Sequence, residues 1–446
     1  MIDSLASLLA LMKLRGAKRF YAKKLAANDN SKNQVYLGGD FSALNILPHQ
    51  GVYTDAAEMA GSKRDRAKAG IRLFWVDEDG CYPAPNAQLI LYPKYPEVRM
   101  SGFLKGCAKS PSDIMRVRDE GRILFFGISD DGVILCHAVG GDHPLAHALR
   151  AMGELTEAGV FLEIPAGPDE ADTRQLLLAK LTEIYERNWI PSQKLGADGI
   201  RHPYRAANGG GYTLEAELGI TPNGYSEPDY LGWEIKQYGV SDFKGFRSKS
   251  PVTLMTPEPT GGIYRDHGVA VFMQSYGYPD KSGKIDRINF GGIYSVGKDF
   301  HIDTSLRLEL LGYDREKGVI TDMSGGIALL SRTGEVAALW GFAGIMDHWN
   351  RKHAKAAYVP SLFRKPPPEY SYGPRVLLCE RTDFSLFLRA ISESIVYYDP
   401  AIKVEGASSP KPITKRRSQF RVRHAQLVQM YHRHEYVDLV ASNGLL

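Results

Sequence analysis

Apolar positions along the chain follow two regimes. In the first 150 residues they come as short runs, IRLFWV (71–76), AQLILY (87–92), RILFFGI (122–128) and GVILCHAV (132–139). Runs of this length, bounded by turn residues, predict strands. Asp130, Asp131 and Gly132 between the last two predict a hairpin. Several short strands separated by turns imply a barrel-like or sandwich domain, closed by a helix over HPLAHALRAMGEL and a strand at FLEIP. The first twenty residues, with SLASLLALM followed by a basic turn, predict an amphipathic helix. Asp3 in place of a positive n-region, and no small-residue cleavage site, argue against a signal peptide.

The second regime begins after PAGPDEAD (165–172), whose Pro, Gly and acidic residues mark an exposed linker and place domains at 1–165 and 170–446. Asp172 or Thr173 caps a helix in which Leu177, Leu181, Ile184 and Tyr185 form one stripe. NGGGY (208–212) leads into a further helix, TLEAELGI. No G-K-[ST] follows those glycines, so they suit close packing or approach to DNA better than nucleotide binding.

Within that second region Asp229-x4-Glu234-x-Lys236 carries the candidate chemistry. On a strand Glu234 and Lys236 share one face while Ile235 points into the core. Asp229, at the foot of the same strand or on its hairpin partner, can share a divalent cation with Glu234. Carboxylate oxygens are the ligands Mg²⁺ prefers, with water and phosphate completing the octahedron. Lys236 beside that ion can orient the attacking water and offset charge on the phosphorane. Glu215, on the preceding helix, supplies a further acid. The spacing points to metal-dependent phosphodiester hydrolysis, although the same residues also suit an ordinary charged surface hairpin.

At 446 residues the chain has room for two or three domains. No apolar run approaches the length of a membrane span. Cys81, Cys107, Cys136 and Cys379 lack C-x2-C spacing, which argues against a zinc site and fits free thiols in a reducing cytoplasm. The net charge of +4 is modest, so any nucleic-acid contact depends on local clusters. One is KPITKRRSQFRVRH (411–424), which holds six Lys and Arg and no acid. His348, His353, His424, His432 and His434 form no H-E-x-x-H pattern and read as structural hydrogen-bonding residues; no G-x-S-x-G is present.

The ordered strings GYTLE, LGI, PD and G-x-E-I-K, then TLMT (253–256), HWNRKHAKAAYVP (348–360) and RRSQFRV (416–422), resemble the MvaI/BcnI restriction endonucleases. Those enzymes are a branch of the PD-(D/E)xK nucleases related to the mismatch-repair nickase MutH. Residues 22–37 (AKKLAANDNSKNQVYL) and 89–103 (LILYPKYPEVRMSGF) are similar to the N-terminal effector domain of EcoRII, a B3-like pseudobarrel that binds DNA, without that domain's full run of basic residues. The resemblance implies an α+β chain with a B3-like DNA-binding domain and a mixed-sheet nuclease domain.

It further implies Mg²⁺ as cofactor, double-stranded DNA as partner and a cytoplasmic monomer that makes sequential nicks. A cognate methyltransferase is expected as a separate protein. Because both related halves read 5′-CCWGG, that site is the expected target. Candidate DNA contacts are Lys23, Lys24, Asn28, Lys94, Glu97 and Arg99 in the first half, and Lys352, Arg417 and Arg421 in the second. A MutH-like nicking enzyme, a modification-dependent endonuclease and a non-catalytic DNA-binding regulator remain open as alternatives.

Overall fold

The computed structural model describes residues 2–29, 34–54, 66–165, 173–206, 208–222 and 228–440. The chain forms two compact units, Met1–Glu170 together with Gly312–Ser324, and Ala171–Leu311 together with Gly325–Leu446. Apart from Pro165, the expected linker at 165–172 lies outside the described residues.

In the first unit the apolar runs are strands. Ile123–Ser129 and Val133–Val139 pair antiparallel, Ile134 opposite Ile128, and the turn between them places Gly132 at φ 81°. Val133–Val139 also pairs in parallel with Arg72–Val76. Together with Ala17–Lys24, Glu157–Ala158, Phe161–Ile164 and Cys81–Pro83 they make a seven-stranded sheet. The N-terminal helix, Leu5–Leu14, is capped by the Ser4 side chain, which accepts from the Ser7 backbone N–H. It lays Leu8 and Met12 on a core with Phe20, Phe125 and Leu145, the last from the helix Pro144–Ala151. A separate five-stranded sheet contains Gln34–Tyr36, Glu97–Ser101, Gln88–Tyr92, Ala67–Gly70 and Val52–Tyr53. Its strand Glu97–Ser101 buries Val98 and Met100 and turns Glu97 and Arg99 to the other face.

In the second unit a mixed sheet has Lys355–Arg364 at its centre. Glu234–Gly239 runs parallel to it, Glu234 opposite Ala356 and Lys236 opposite Tyr358. Arg375–Glu380 and Glu369–Tyr372 pair with it antiparallel. Helix Thr173–Glu186 buries Leu177, Leu181 and Ile184 against this sheet, in one core with Leu214, Trp233, Ile235 and Val359. Helix Gly209–Glu217 packs here as well, and crowding explains its first two glycines, though not Gly211. A Cβ on Gly209 would come within 2.5 Å of Ser192 Oγ, and one on Gly210 within 2.8 Å of Gln237 Oε1. The remainder holds smaller antiparallel sheets around Trp340, Tyr398 and Phe420, whose rings meet edge-on or tilted within 4.6–5.3 Å. The basic segment 411–424 is folded into these sheets through Ile413–Lys415 and Phe420–Val422. No helix among the described residues is long and apolar enough to cross a membrane.

Candidate active site

The site begins at a tight turn. Tyr230 and Trp233 exchange both backbone hydrogen bonds, at 3.0 and 2.8 Å, while Leu231 and Gly232 between them have φ of 49° and 82°. Two consecutive positive φ values define the type I′ turn, whose twist matches that of paired strands. Glycine adopts this conformation freely, whereas an L-residue with a Cβ pays about 1–2 kcal/mol. The turn folds Asp229 back beside the strand, where its Oδ2 accepts the Ile235 backbone N–H at 2.9 Å. Alternation along Glu234–Gly239 then separates the side chains. Ile235 enters the core, and Lys236 returns to the side of Glu234, donating from Nζ to Oε1 at 2.5 Å.

Glu234 is the buried centre of the group, with 0% of its surface exposed. A second ammonium, Lys352 Nζ, lies 3.5 Å from the same Oε1. The other oxygen, Oε2, is buried and has no hydrogen-bond partner. Burial alone would push the Glu234 carboxyl up, but the Lys236 and Lys352 ammoniums outweigh it and hold the group below the usual range. Lys236 is shifted the other way: burial disfavours its charge, and Glu234, Asp229 and Glu215 more than restore it. Asp229 is raised by burial and by the Glu234 charge. Glu215, on helix Gly209–Glu217, is pushed up to about 7, first by burial and then by Asp229. Two residues on, Glu217 occupies another face of that helix, where Arg187 and Gln193 donate to its buried carboxylate. It takes no part in the cluster.

Whether these residues suit a divalent cation is decided by Glu234. A carboxylate oxygen without a partner is costly when buried, and a hard cation is the partner that such an oxygen takes without a proton. Among the described residues no three His, Cys, Asp or Glu side chains form a ready ligand cage. Mg²⁺ is bound by one or two carboxylates and keeps water and phosphate for its other positions.

The candidate DNA contacts separate by burial and partner. Lys352 sits at the Glu234 cluster itself, on helix Phe342–His353. Arg417 is exposed. Arg421 is committed to structure, since its guanidinium donates to Asp399 Oδ2 and to the Pro251 carbonyl, both at 2.7 Å. In the first unit Lys24, Asn28 and Lys94 are exposed. Lys23 is turned inward, 4% exposed, with Nζ 2.9 Å from the equally buried Asp29. Arg99 is held by Glu97 through two hydrogen bonds, at 3.1 and 3.2 Å. In this structure Lys23 and Arg421 are thus held in ion pairs, with Asp29 and Asp399.

Two of the histidines are neutral and near the cluster, one buried and one half-buried. His353, completely buried, is pushed down to about 3 by that burial. Its Nε2 lies 3.2 Å from the Leu254 carbonyl, which only accepts, so Nε2 carries the proton and Nδ1 accepts from the Tyr431 hydroxyl at 3.1 Å. His348, one turn before Lys352, is lowered to about 4 by burial and by the Lys352 charge.

The sequence profile of the MvaI/BcnI restriction endonuclease family matches residues 178–431, which include all of these site residues except those of the first unit. Among solved structures the chain is similar to "Restriction endonuclease MvaI-cognate DNA substrate complex", with 16% identity over 60% of this chain and 99% of that one and a TM-score of 0.44. It is also similar to "Restriction endonuclease MvaI in the absence of DNA", with 15% identity over 61% of this chain and 100% of that one and a TM-score of 0.34. No curated protein sequence matches.

Proposed function

The chain belongs to the MvaI/BcnI restriction endonuclease family, and from that premise we propose that it is a Mg²⁺-dependent endonuclease that cuts double-stranded DNA at 5′-CCWGG. The observation that carries the reading is the unpartnered, buried Glu234 Oε2 beside Lys236 and Asp229. Glu234 and Asp229 would hold the cation. When bound, it supplies Lewis acidity and lowers the pKa of its water. Lys236, kept protonated by the surrounding acids, faces the developing charge of the phosphorane and orients the water. Glu215, on the neighbouring helix, is the further carboxylate that would take up a proton as the water attacks.

Specificity for CCWGG rests on the sequence resemblance of both halves. So does a B3-like character for the first unit, which would give it a DNA-binding role of its own through exposed residues such as Lys24 and Lys94. The protein would act as a monomer in the cytoplasm, opposite a separate methyltransferase that protects host sites.

Plasmid digestion with Mg²⁺ followed by sequencing of the ends tests the proposal. Cuts confined to CCWGG are expected, and Asp229→Ala should lower the rate by several orders of magnitude while DNA binding in Ca²⁺ persists. Ends at unrelated sequences would refute the specificity. Nicked circles as the final product would identify a MutH-like nickase. Near wild-type cutting by Asp229→Ala would refute the site.

A further inference from the structure

The cleavage cluster contains a second lysine that the D-x4-E-x-K spacing does not include. Lys352 Nζ lies 3.5 Å from Glu234 Oε1, the oxygen that already accepts from Lys236, and its side chain is 19% exposed. Both ammoniums therefore crowd one oxygen and leave Oε2 unpartnered. Nor is the position of Lys352 loose. It is the penultimate residue of helix Phe342–His353, in the last turn, where the helix dipole favours a cation. The next residue, His353, is pinned by Leu254 and Tyr431 and stacked on Trp349 with ring centroids 4.1 Å apart. Trp349 in turn donates to Thr382 Oγ1 at 3.0 Å. The helix end is thereby anchored in the core, and Lys352 is delivered to Glu234 from a fixed backbone.

With all groups ionised, Glu215, Asp229 and Glu234 against Lys236 and Lys352 leave one net negative charge. One divalent cation and one phosphodiester bring the assembled centre to neutrality. Without Lys352 the metal-free centre carries two negative charges, and the assembled one remains negative while further negative charge develops on the phosphorane. Resting on the nuclease reading above, we infer that Lys352 is a positioning residue that holds Glu234 by Oε1 and sets the charge of the centre, weakening cation binding so that the loaded site favours the phosphodiester.

Opposite signs follow for two measurements on the full-length protein. Lys352→Met should raise Mn²⁺ affinity by about tenfold, because a like charge next to the ion has been removed. Free Mn²⁺ would be counted by electron paramagnetic resonance, with the Glu234→Gln variant subtracted to isolate this site. The same variant should cut plasmid at saturating Mg²⁺ at least about tenfold more slowly. Lys352→Arg, which keeps the charge, should retain wild-type Mn²⁺ affinity. Circular dichroism confirms that each variant is folded; if Lys352→Met is not, Lys352→Gln takes its place. Unchanged or weakened Mn²⁺ binding by the charge-removed variant would overturn the inference, as would tighter binding with undiminished cutting. If the wild type cuts no DNA, the nuclease reading fails by itself, and the Mn²⁺ titration still decides the charge role of Lys352.

Discussion

The raised Glu215 carboxyl carries a stability cost that can be measured without any catalysis. Its pKa moves from 4.5 to about 7, first because the group is buried and then because Asp229 and Glu234 share the site, against the pull of Lys236 and Lys352. In the unfolded chain Glu215 loses its proton near 4.5, whereas the folded protein holds it until about 7. The folded state therefore binds more protons through this window, and stability falls as pH rises across it. Above pH 7 the whole cost is present, about 3 kcal/mol at 1.36 kcal/mol per pKa unit. Glu215→Gln keeps the shape and removes the ionisation. In EDTA at pH 8 the variant should be more stable by up to about 3 kcal/mol, a rise of several degrees in melting temperature; the gain should shrink to nothing near pH 4.5. Four of the five tryptophans, at 189, 233, 340 and 349, lie in the second unit. Their fluorescence follows its unfolding even though a two-unit chain need not melt in one step. Saturating Mg²⁺ should shrink the difference, because a cation beside Glu215 favours its ionised form and so removes part of the wild type's cost. Equal stability at pH 8, or a difference that does not change with pH, would refute the argument.

Leu231→Asn should stabilise the second unit by about 0.5–1 kcal/mol, since Asn-Gly is the preferred type I′ pair and Asn tolerates positive φ; a lower urea midpoint would contradict the strained-turn reading. Replacing the exposed Lys24 and Lys94 together by Ala, in the Asp229→Ala background to prevent cutting, should reduce the slope of log affinity against log salt by about two, at roughly one per phosphate contact. An unchanged slope would remove the first unit's lysines from the DNA interface.

What was legible in the sequence was local. The run 122–139 reads as a hairpin because two apolar segments flank Asp-Asp-Gly, and the strands pair there. Asp229, Glu234 and Lys236 could be assembled on paper because a turn and a period of two are enough to bring them together, and the structure does so with a single hydrogen bond to Ile235 and one to Glu234. The turn type was not legible, because Leu-Gly is an unfavourable choice for it. Burial is not legible where a strand is covered on both faces. In Ala17–Lys24 the four residues Phe20 to Lys23 are all buried, so alternation says nothing about Lys23, and Asp29 makes its burial affordable.

Lys352 and Arg421 were drawn from two basic segments and read alike, yet the structure gives them different work. A sequential charge run records how many cations a segment carries and not which faces they occupy. Arg421 lies between the buried Phe420 and Val422, so its side chain leaves on the opposite face, and there Asp399 and the Pro251 carbonyl take it. Lys352 leaves a helix whose apolar face is fixed by Trp349 and His353, which aims it at Glu234. In each case the deciding partner lies in a distant part of the chain. The charge of the Glu234 cluster, unlike the spacing of its motif, is therefore a property of the tertiary fold: substitutions at 352 should alter it as strongly as substitutions within the motif.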